Sequence, residues 1–324
     1  MTGQRRRKPL RQRVSLRPGR GGTRTANELP RAWFLVGGVL LVLLGIVIGR
    51  WTRGTPSPET PAAAPLEAFG AATAPAEMDL PAPAPSEPPS EPLPAIERGE
   101  ALVSLVIDDL GRSVETIAQL SALGVEISYS VLPFEIRTPQ VVSDLRKRGA
   151  EILLHLPMEA DGAADPGPGS LLRSMDGEEL RRRTREALAA VPGAVGANNH
   201  MGSALSADGV ALEPVLVELR AHGLFFLDSR TSADSVGFQL ARELGVPAAE
   251  RRVFLDREID RDEIRVQFRR LLDQAAENGS AIAIGHPYEE TLEVLREEIP
   301  RARKAGFRFV PVSSLVERSG VDAL

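Results

Sequence analysis

From Leu102 onward the chain alternates short apolar runs with amphipathic helical segments at a nearly constant step, and few folds accommodate that rhythm. Runs begin near Leu102, Val125, Glu151, Val195, Leu224, Arg252, Ala281 and Phe307, each 23 to 29 residues after the last except for one interval of 44. One such step is the length of a strand, a crossover helix and two loops. The pattern therefore predicts a parallel (β/α) barrel of seven to eight strands, distorted or incomplete. Helix signals fall between the runs. Thr138-Pro139 reads as an N-cap followed by a first-turn proline, with Gly149 as the stop. Asp176 with Glu179, and Asp260 with Glu263, have the spacing of capping boxes, and Gly279 closes the second of those helices. Residues 101–318 are enough chain for one buried core.

The polar residues that end these runs carry the chemistry. Leu102 to Ile107 closes on Asp108-Asp109, Ile152-Leu153-Leu154 on His155, Val195-Gly196-Ala197 on Asn198-Asn199-His200, and Ala281 to Ile284 on Gly285-His286. If the runs are parallel strands, these side chains gather at the carboxyl edge of the sheet, where α/β folds build active sites. Three of the chain's four histidines in equivalent positions is more than a lone loop histidine bonded to backbone would suggest. His222 differs: it sits in the last turn of a helix before Gly223, where a cation meets the helix dipole, and is read as structural. Adjacent strand residues point to opposite sides, which suits one of the two aspartates binding a metal and the other serving as a base. Their ordinary structural use would be to cap the helix starting near Ser113. His155 precedes Glu159 by four residues, a spacing that can share a metal, although Pro157 makes the segment a loop. The long interval holds Asp161 to Gly169, rich in Gly, Pro and Asp, in the place of a substrate loop.

The first hundred residues are another kind of chain. Ala32 to Gly49 is an uncharged run of 18 residues rich in Leu, Val and Ile, which at about 1.5 Å per residue nearly crosses a hydrocarbon core of about 30 Å. Ten Lys or Arg precede it against the single Glu28. The positive-inside rule then keeps the basic tail, 1–31, in the cytoplasm and exports the chain beyond the anchor, 32–51. A cleaved signal peptide competes with this reading, but the apolar core is long and no small-x-small site comes after it. The expected location is the inner (cytoplasmic) membrane, single-pass, with the carboxyl-terminal domain periplasmic or extracellular. A basic tail can bind nucleic acid, but before a span it reports topology, so no nucleic-acid partner is expected. Between Gly54 and Gly99 lie 12 of the 26 prolines, with Ala, Glu, Ser and Thr and little to form a core. The linker, 52–100, is expected to be disordered and extended. The absence of cysteine fits an exported domain without disulfides and excludes no compartment.

From Leu102 to Val316 the chain resembles the divergent polysaccharide deacetylases, within the wider NodB-type carbohydrate esterase superfamily. Val106-Ile107-Asp108-Asp109-Leu110-Gly111 is similar to the superfamily motif Thr-Phe-Asp-Asp-Gly, His155 to the first His of a His-Ser/Thr-x-x-His metal motif, and Ile284-Gly285-His286 to a Leu-x-His motif. Glu159 stands where the metal motif has its second His, and Asn199-His200-Met201-Gly202-Ser203 resembles the divergent subgroup. The resemblance implies a metal-dependent hydrolase of carbohydrate N- or O-acetyl groups, with Asp108 as general base and His286 as general acid. It implies Zn2+ or another divalent metal on Asp109 and His155, with His200 or Glu159 completing the set. Asp228 falls where the family carries an orienting Asp. Asn199, Ser229 and Arg230 are expected to meet substrate, a cell-wall polysaccharide or oligosaccharide.

Two other classes stay open in the sequence. A glycan- or protein-binding module on the same fold, without turnover, is suggested by Glu159 and by the position of both Trp residues, Trp33 and Trp51, beside the apolar span rather than in the domain. A metal-free glycosidase would need Asp108 and either Glu159 or Asp228 at roughly 5 to 10 Å. The net charge of −5 gives no electrostatic argument for anionic wall polymers or nucleic acid.

Overall fold

The computed structural model describes residues 93–96 and 101–316, all within the second of the chain's two compact units, Pro83–Leu324. The expected cytoplasmic tail and membrane span lie outside the described residues, as does nearly all of the linker. No helix among the described residues is long and apolar enough to cross a membrane.

Nine parallel strands form one sheet: β1 (Leu102–Leu110), β2 (Ser128–Val131), β3 (Glu151–Met158), β4 (Gly196–Met201), β5 (Phe225–Asp228), β6 (Ala248–Glu250), β7 (Val253–Phe254), β8 (Ser280–Gly285) and β9 (Arg308–Phe309). Between them run α1 (Glu115–Ser121), α2 (Thr138–Arg148), α3 (Gly177–Ala190), α4 (Gly209–Ala221), α5 (Gly237–Glu243), α6 (Arg261–Asn278) and α7 (Glu289–Lys304). The strand order is β6-β5-β4-β3-β2-β1-β8-β7, with β9 beside the start of β1. The predicted run at Arg252 is thus two short strands at opposite ends of the path. They are successive parts of one segment whose bonding changes sides between neighbours: the Arg251 N–H donates to Asp228 O and the Arg252 N–H to Ile282 O. The sheet curls until one segment serves both edges, which is an incomplete barrel closed by a seam.

Side-chain alternation explains what each strand end presents. On β1, Val103, Leu105 and Ile107 join the large outer core under the helices, while Val106 joins an inner cluster with Leu153, Phe225, Leu227, Ile282 and Ile284. The same parity sends Asp108, two residues after Val106, toward the barrel interior. On β3 the inner residue Leu153 is followed by His155, and β3–β4 register sets His155 opposite Asn198 and Pro157 opposite His200. Gly196 faces inward as well, and a Cβ there would overlap the Phe225 ring, so only glycine lets that ring fill the interior. Val312, in the 3-10 turn Val312–Leu315, belongs to the inner cluster, and its N–H is held by Ser128 Oγ.

The helix signals hold with one correction, at Thr138. Of each expected capping box the bonds show the aspartate half, Glu179 being turned to Arg182 and Arg183 instead. Asp176 caps α3 through Glu179 N–H at 2.9 Å, and Asp260 caps α6 through Asp262 and Glu263 N–H. Gly149 and Gly279 end α2 and α6 in the left-handed conformation. Thr138, however, is the first residue of α2 rather than its cap: its hydroxyl donates to Leu132 O at 2.6 Å, a bond across the β2–α2 turn that removes it from the helix end. Neither Asp108 nor Asp109 caps α1, whose first turn is served by Ser113 Oγ accepting from Thr116 N–H.

Candidate metal centre at the barrel mouth

Both aspartates of β1 reach the same place, against simple strand alternation. The register with β2 breaks between Ile107 and Leu110, and Asp109 takes φ = 57°, a left-handed backbone that Asp tolerates better than most residues. The bulge turns Asp109 inward beside Asp108. Asp109 Oδ1 lies 2.9 Å from His200 Nδ1 and 3.2 Å from His155 Nε2, and those two nitrogens are 3.0 Å apart. Asp108 Oδ2 is 3.6 Å from His155 Nε2, and His286 Nε2 is 3.9 Å from Asp109 Oδ2. One carboxylate and two imidazoles thus converge, with a second carboxylate and a third imidazole at the margins.

Asp109, His155 and His200 can hold a cation, since one ligand atom from each lies within 4.8 Å of the others. Asp109 Oδ1 is buried and meets neither ring nitrogen in hydrogen-bonding geometry despite its closeness, so it is an acceptor without a donor. A buried acceptor so placed calls for an ion or a water where the donor would be, and the two ring nitrogens beside it suit an ion. Ligand atoms about 3.3 Å apart are also what tetrahedral coordination at roughly 2.0–2.1 Å requires. The residues fit a divalent metal of the type that accepts imidazole and carboxylate.

The electrostatics agree. Burial would push the Asp109 carboxyl up, but His155 and His200 outweigh it and hold it well below the usual carboxylate range. Burial opposes protonation of His155, and the neighbouring Asp108 and Asp109 still raise it. His286 is likewise desolvated, yet Asp256, with Asp108 and Asp109 beyond, pushes it up to about 9.

Asp256 is the partner that sequence reasoning missed. Its carboxylate accepts from His286 Nδ1 at 2.9 Å, from the His286 backbone N–H and from the Thr291 hydroxyl at 2.9 Å, and it is buried. The signal was present, since Leu255-Asp256 also closes an apolar run at a strand end. Asn198, placed at a strand end by the sequence but given no role there, is fully buried and bonds Asp108, His155, Ser130 and Ser229. Arg251, in the seam, donates to the Ser229 and Arg230 carbonyls; burial holds its pKa below the usual arginine value, against the opposing pull of Asp108 and Asp228.

Several expected residues are placed elsewhere. Glu159 is not with the ligand group: its carboxylate accepts from Arg173 N–H at 2.6 Å and pairs with the Arg173 guanidinium at 3.2 Å, drawn away by the returning loop. Asp228 follows the outer residue Phe226 by two and points away from the mouth, toward α5. There it accepts from Arg230 N–H, Ser235 Oγ and Phe238 N–H, and Gly237 leaves it room, since a Cβ would sit 2.9 Å from Oδ2. Asn199 ties the ends of β4 and β5 together through Met201 O, Thr231 Oγ1 and Ser229 N–H. Ser229 is buried beneath the cluster, and Arg230, at φ = 50°, donates to Ser235 O. These are the partners that the three residues expected to meet substrate have within the protein.

A cleft of about 300 Å3 opens beside Asp109 and His200. Asp165 to Pro168 of the Asp161–Gly169 loop line it, facing Leu132 to Glu135. Gly169 passes against the Phe134 ring so closely, at φ = +80°, that a Cβ would overlap it. Arg112, bonded to Glu135 at 2.9 Å, is the cation at the rim. His286 lies between the rings of Phe254 and Tyr288, with centroids 5.6 and 5.5 Å away.

Fold and mouth together define a β/α-barrel protein with a metal-competent cluster of one aspartate and two histidines. The chain belongs to the divergent polysaccharide deacetylase family, whose model matches residues 105–316. It is 36% identical over 220 residues to the uncharacterized protein YibQ of Escherichia coli (strain K12), covering 68% of this chain and 69% of that one. It is 34% identical over 212 residues to an uncharacterized protein of Haemophilus influenzae (strain ATCC 51907 / DSM 11121 / KW20 / Rd), covering 65% and 73% respectively. The crystal structure of an uncharacterized protein from Agrobacterium tumefaciens C58 matches with a TM-score of 0.63 at 27% identity, over 69% of this chain and 92% of that chain.

Proposed function

We propose that the chain is an exported, membrane-anchored, Zn2+-dependent deacetylase acting on N- or O-acetyl groups of cell-wall glycan or its fragments. The observation that carries this reading is the donorless Asp109 Oδ1 between two histidine nitrogens, with Asp108 and His286 on its flanks. Zn2+ held by Asp109, His155 and His200 would supply Lewis acidity toward an acyl carbonyl and toward water. Asp108 accepts the proton of the attacking water as the new C–O bond forms. His286, kept protonated by Asp256, gives its proton to the sugar nitrogen or oxygen as the bond to the acyl carbon breaks. Acetate and the free amine or hydroxyl leave. The sugar would lie in the cleft between Phe134 and the Asp165–Pro168 loop.

Metal content by mass spectrometry tests the centre: near-stoichiometric zinc in the wild-type chain, lost in Asp109→Ala and His155→Ala. Acetate release from N-acetylglucosamine oligomers, abolished in Asp108→Asn, tests turnover. Zinc without turnover on any acetylated glycan favours a binding module, and zinc unchanged in both variants removes the ligand assignment. The location rests on the uncharged run at 32–49 and the ten preceding basic residues. A reporter enzyme active only outside the cytoplasm, fused after Arg53, is expected to be active; an inactive fusion rejects export.

A further inference from the structure

We infer that Asn198 is the positioning residue of this centre, the single amide that fixes which nitrogen of His155 faces the metal and holds Asp108 beside it. This role rests on the proposed metal site and lies one bond beyond its ligands.

A side-chain amide has two N–H donors and two acceptor lone pairs, and its orientation must be deduced from its neighbours. At Asn198 the neighbours decide. The nitrogen lies 2.9 and 3.1 Å from the two oxygens of Asp108, and a carboxylate only accepts, so the NH2 group must face it. Its second hydrogen meets Ser229 Oγ at 3.1 Å. The carbonyl oxygen is thereby turned toward His155 Nδ1 at 3.0 Å and the Ser130 hydroxyl. An amide oxygen cannot donate, so His155 Nδ1 carries a hydrogen. The metal-facing atom is then Nε2, which is also the atom found 3.2 Å from Asp109 and 3.0 Å from His200.

The chain of dependence runs from the charge on Asp108, through the amide, to the tautomer of a residue on another strand. Every donor and acceptor of Asn198 is used, and the side chain is fully buried. It cannot turn without breaking four bonds. The β3–β4 register that sets His155 opposite Asn198 makes the arrangement a property of the sheet rather than of a loop. A partner of this kind normally changes metal affinity about 10- to 100-fold when removed.

Two substitutions on the full chain separate the halves of the role, with Zn2+ affinity read by competition against a chelator. Asn198→Ala removes both the acceptor for His155 and the donor for Asp108, and is expected to weaken zinc binding about 10- to 100-fold. Asn198→Asp keeps the acceptor for His155 and sets against Asp108 a second carboxyl, with which it must share one proton, and is expected to hold zinc within a fewfold of wild type. A folded Asn198→Ala chain with unchanged affinity overturns the proposal, as does equal weakening in the two variants, which indicates a merely structural role. A second reading needs neither a variant nor the metal. Long-range 15N–1H NMR of His155 in the zinc-free wild-type chain should show a protonated Nδ1, and a bare Nδ1 overturns the proposal. If the wild-type chain binds no zinc while Nδ1 is protonated, the metal assignment fails and the amide's role in fixing the ring stands.

Discussion

The carboxyl ends of β1 and β5 carry the same sequence signal, an apolar run closing on aspartate, yet one builds the mouth and the other does not. Asp108 follows the inner residue Val106, whereas Asp228 follows the outer residue Phe226 and turns to the amino end of α5. What separates them is parity along a strand, which decides the face of every side chain two residues on. Asp109 has the wrong parity and joins the mouth only because the bulge and its left-handed backbone redirect it. An aspartate at a strand end is therefore a statement about the edge of the sheet and not yet about which side of it.

Four substitutions test this contrast, in descending order of expected effect. Asp109→Ala should abolish zinc binding, a loss beyond the roughly 100-fold of an outer partner, seen by titration calorimetry. Retained binding would make the two strand ends equivalent after all.

Asp256→Asn should remove much of the elevation of His286. The folded-state value, about 9, lies above the ordinary histidine value of 6.5. The protonated pair therefore stabilises the fold fully below pH 6.5, and that contribution is lost as pH rises through 9. In the variant the NMR titration midpoint of His286 in zinc-free protein should move down toward 6.5; an unmoved midpoint shows that Asp256 does not set it.

Asp228→Asn places an amide hydrogen against donors from Arg230, Ser235 and Phe238, and should cost about 1–3 kcal/mol of stability while leaving zinc affinity unchanged. In a domain of this size that is a fall of roughly 2–4 °C in melting temperature per kcal/mol, measurable by calorimetry. A variant that loses zinc instead would bring β5 into the site. Glu159→Gln should do least. It loosens a partly exposed pair with Arg173, at most about 1 kcal/mol, with zinc content unaltered.

The sequence was informative where a residue's consequence is local or periodic. The βα step, the caps at Asp176 and Asp260, and the gathering of Asp108, His155, His200 and His286 at one edge follow from spacing and from which end of a strand a residue occupies, whereas the inward turn of Asp109 needs the bulge. It was uninformative where partners come from distant strands. Asn198 faces inward by its parity on β4, but that it meets His155 and Asp108 there depends on register between strands, which no local pattern encodes. Glu159 has the spacing of a ligand from His155, but a ligand must also escape competing partners, and Arg173 arrives from the far side of a loop. Asp256 closes the run Val253-Phe254-Leu255 in plain view, but its pairing with His286 thirty residues on is a contact between strands that the run does not encode.

That seam also divides the wall of the barrel mechanically. Segment 248–255 is paired on one side only along each half, so its amides have fewer closing contacts than those of β1 or β3 and are the natural place for the wall to breathe. His286 is tethered through Asp256, one residue past that segment, while the Asp109–His155–His200 group stands on doubly paired strands. The partner of His286 thus stands beside singly paired backbone, while His286 itself directly follows β8, which is paired to both β1 and β7.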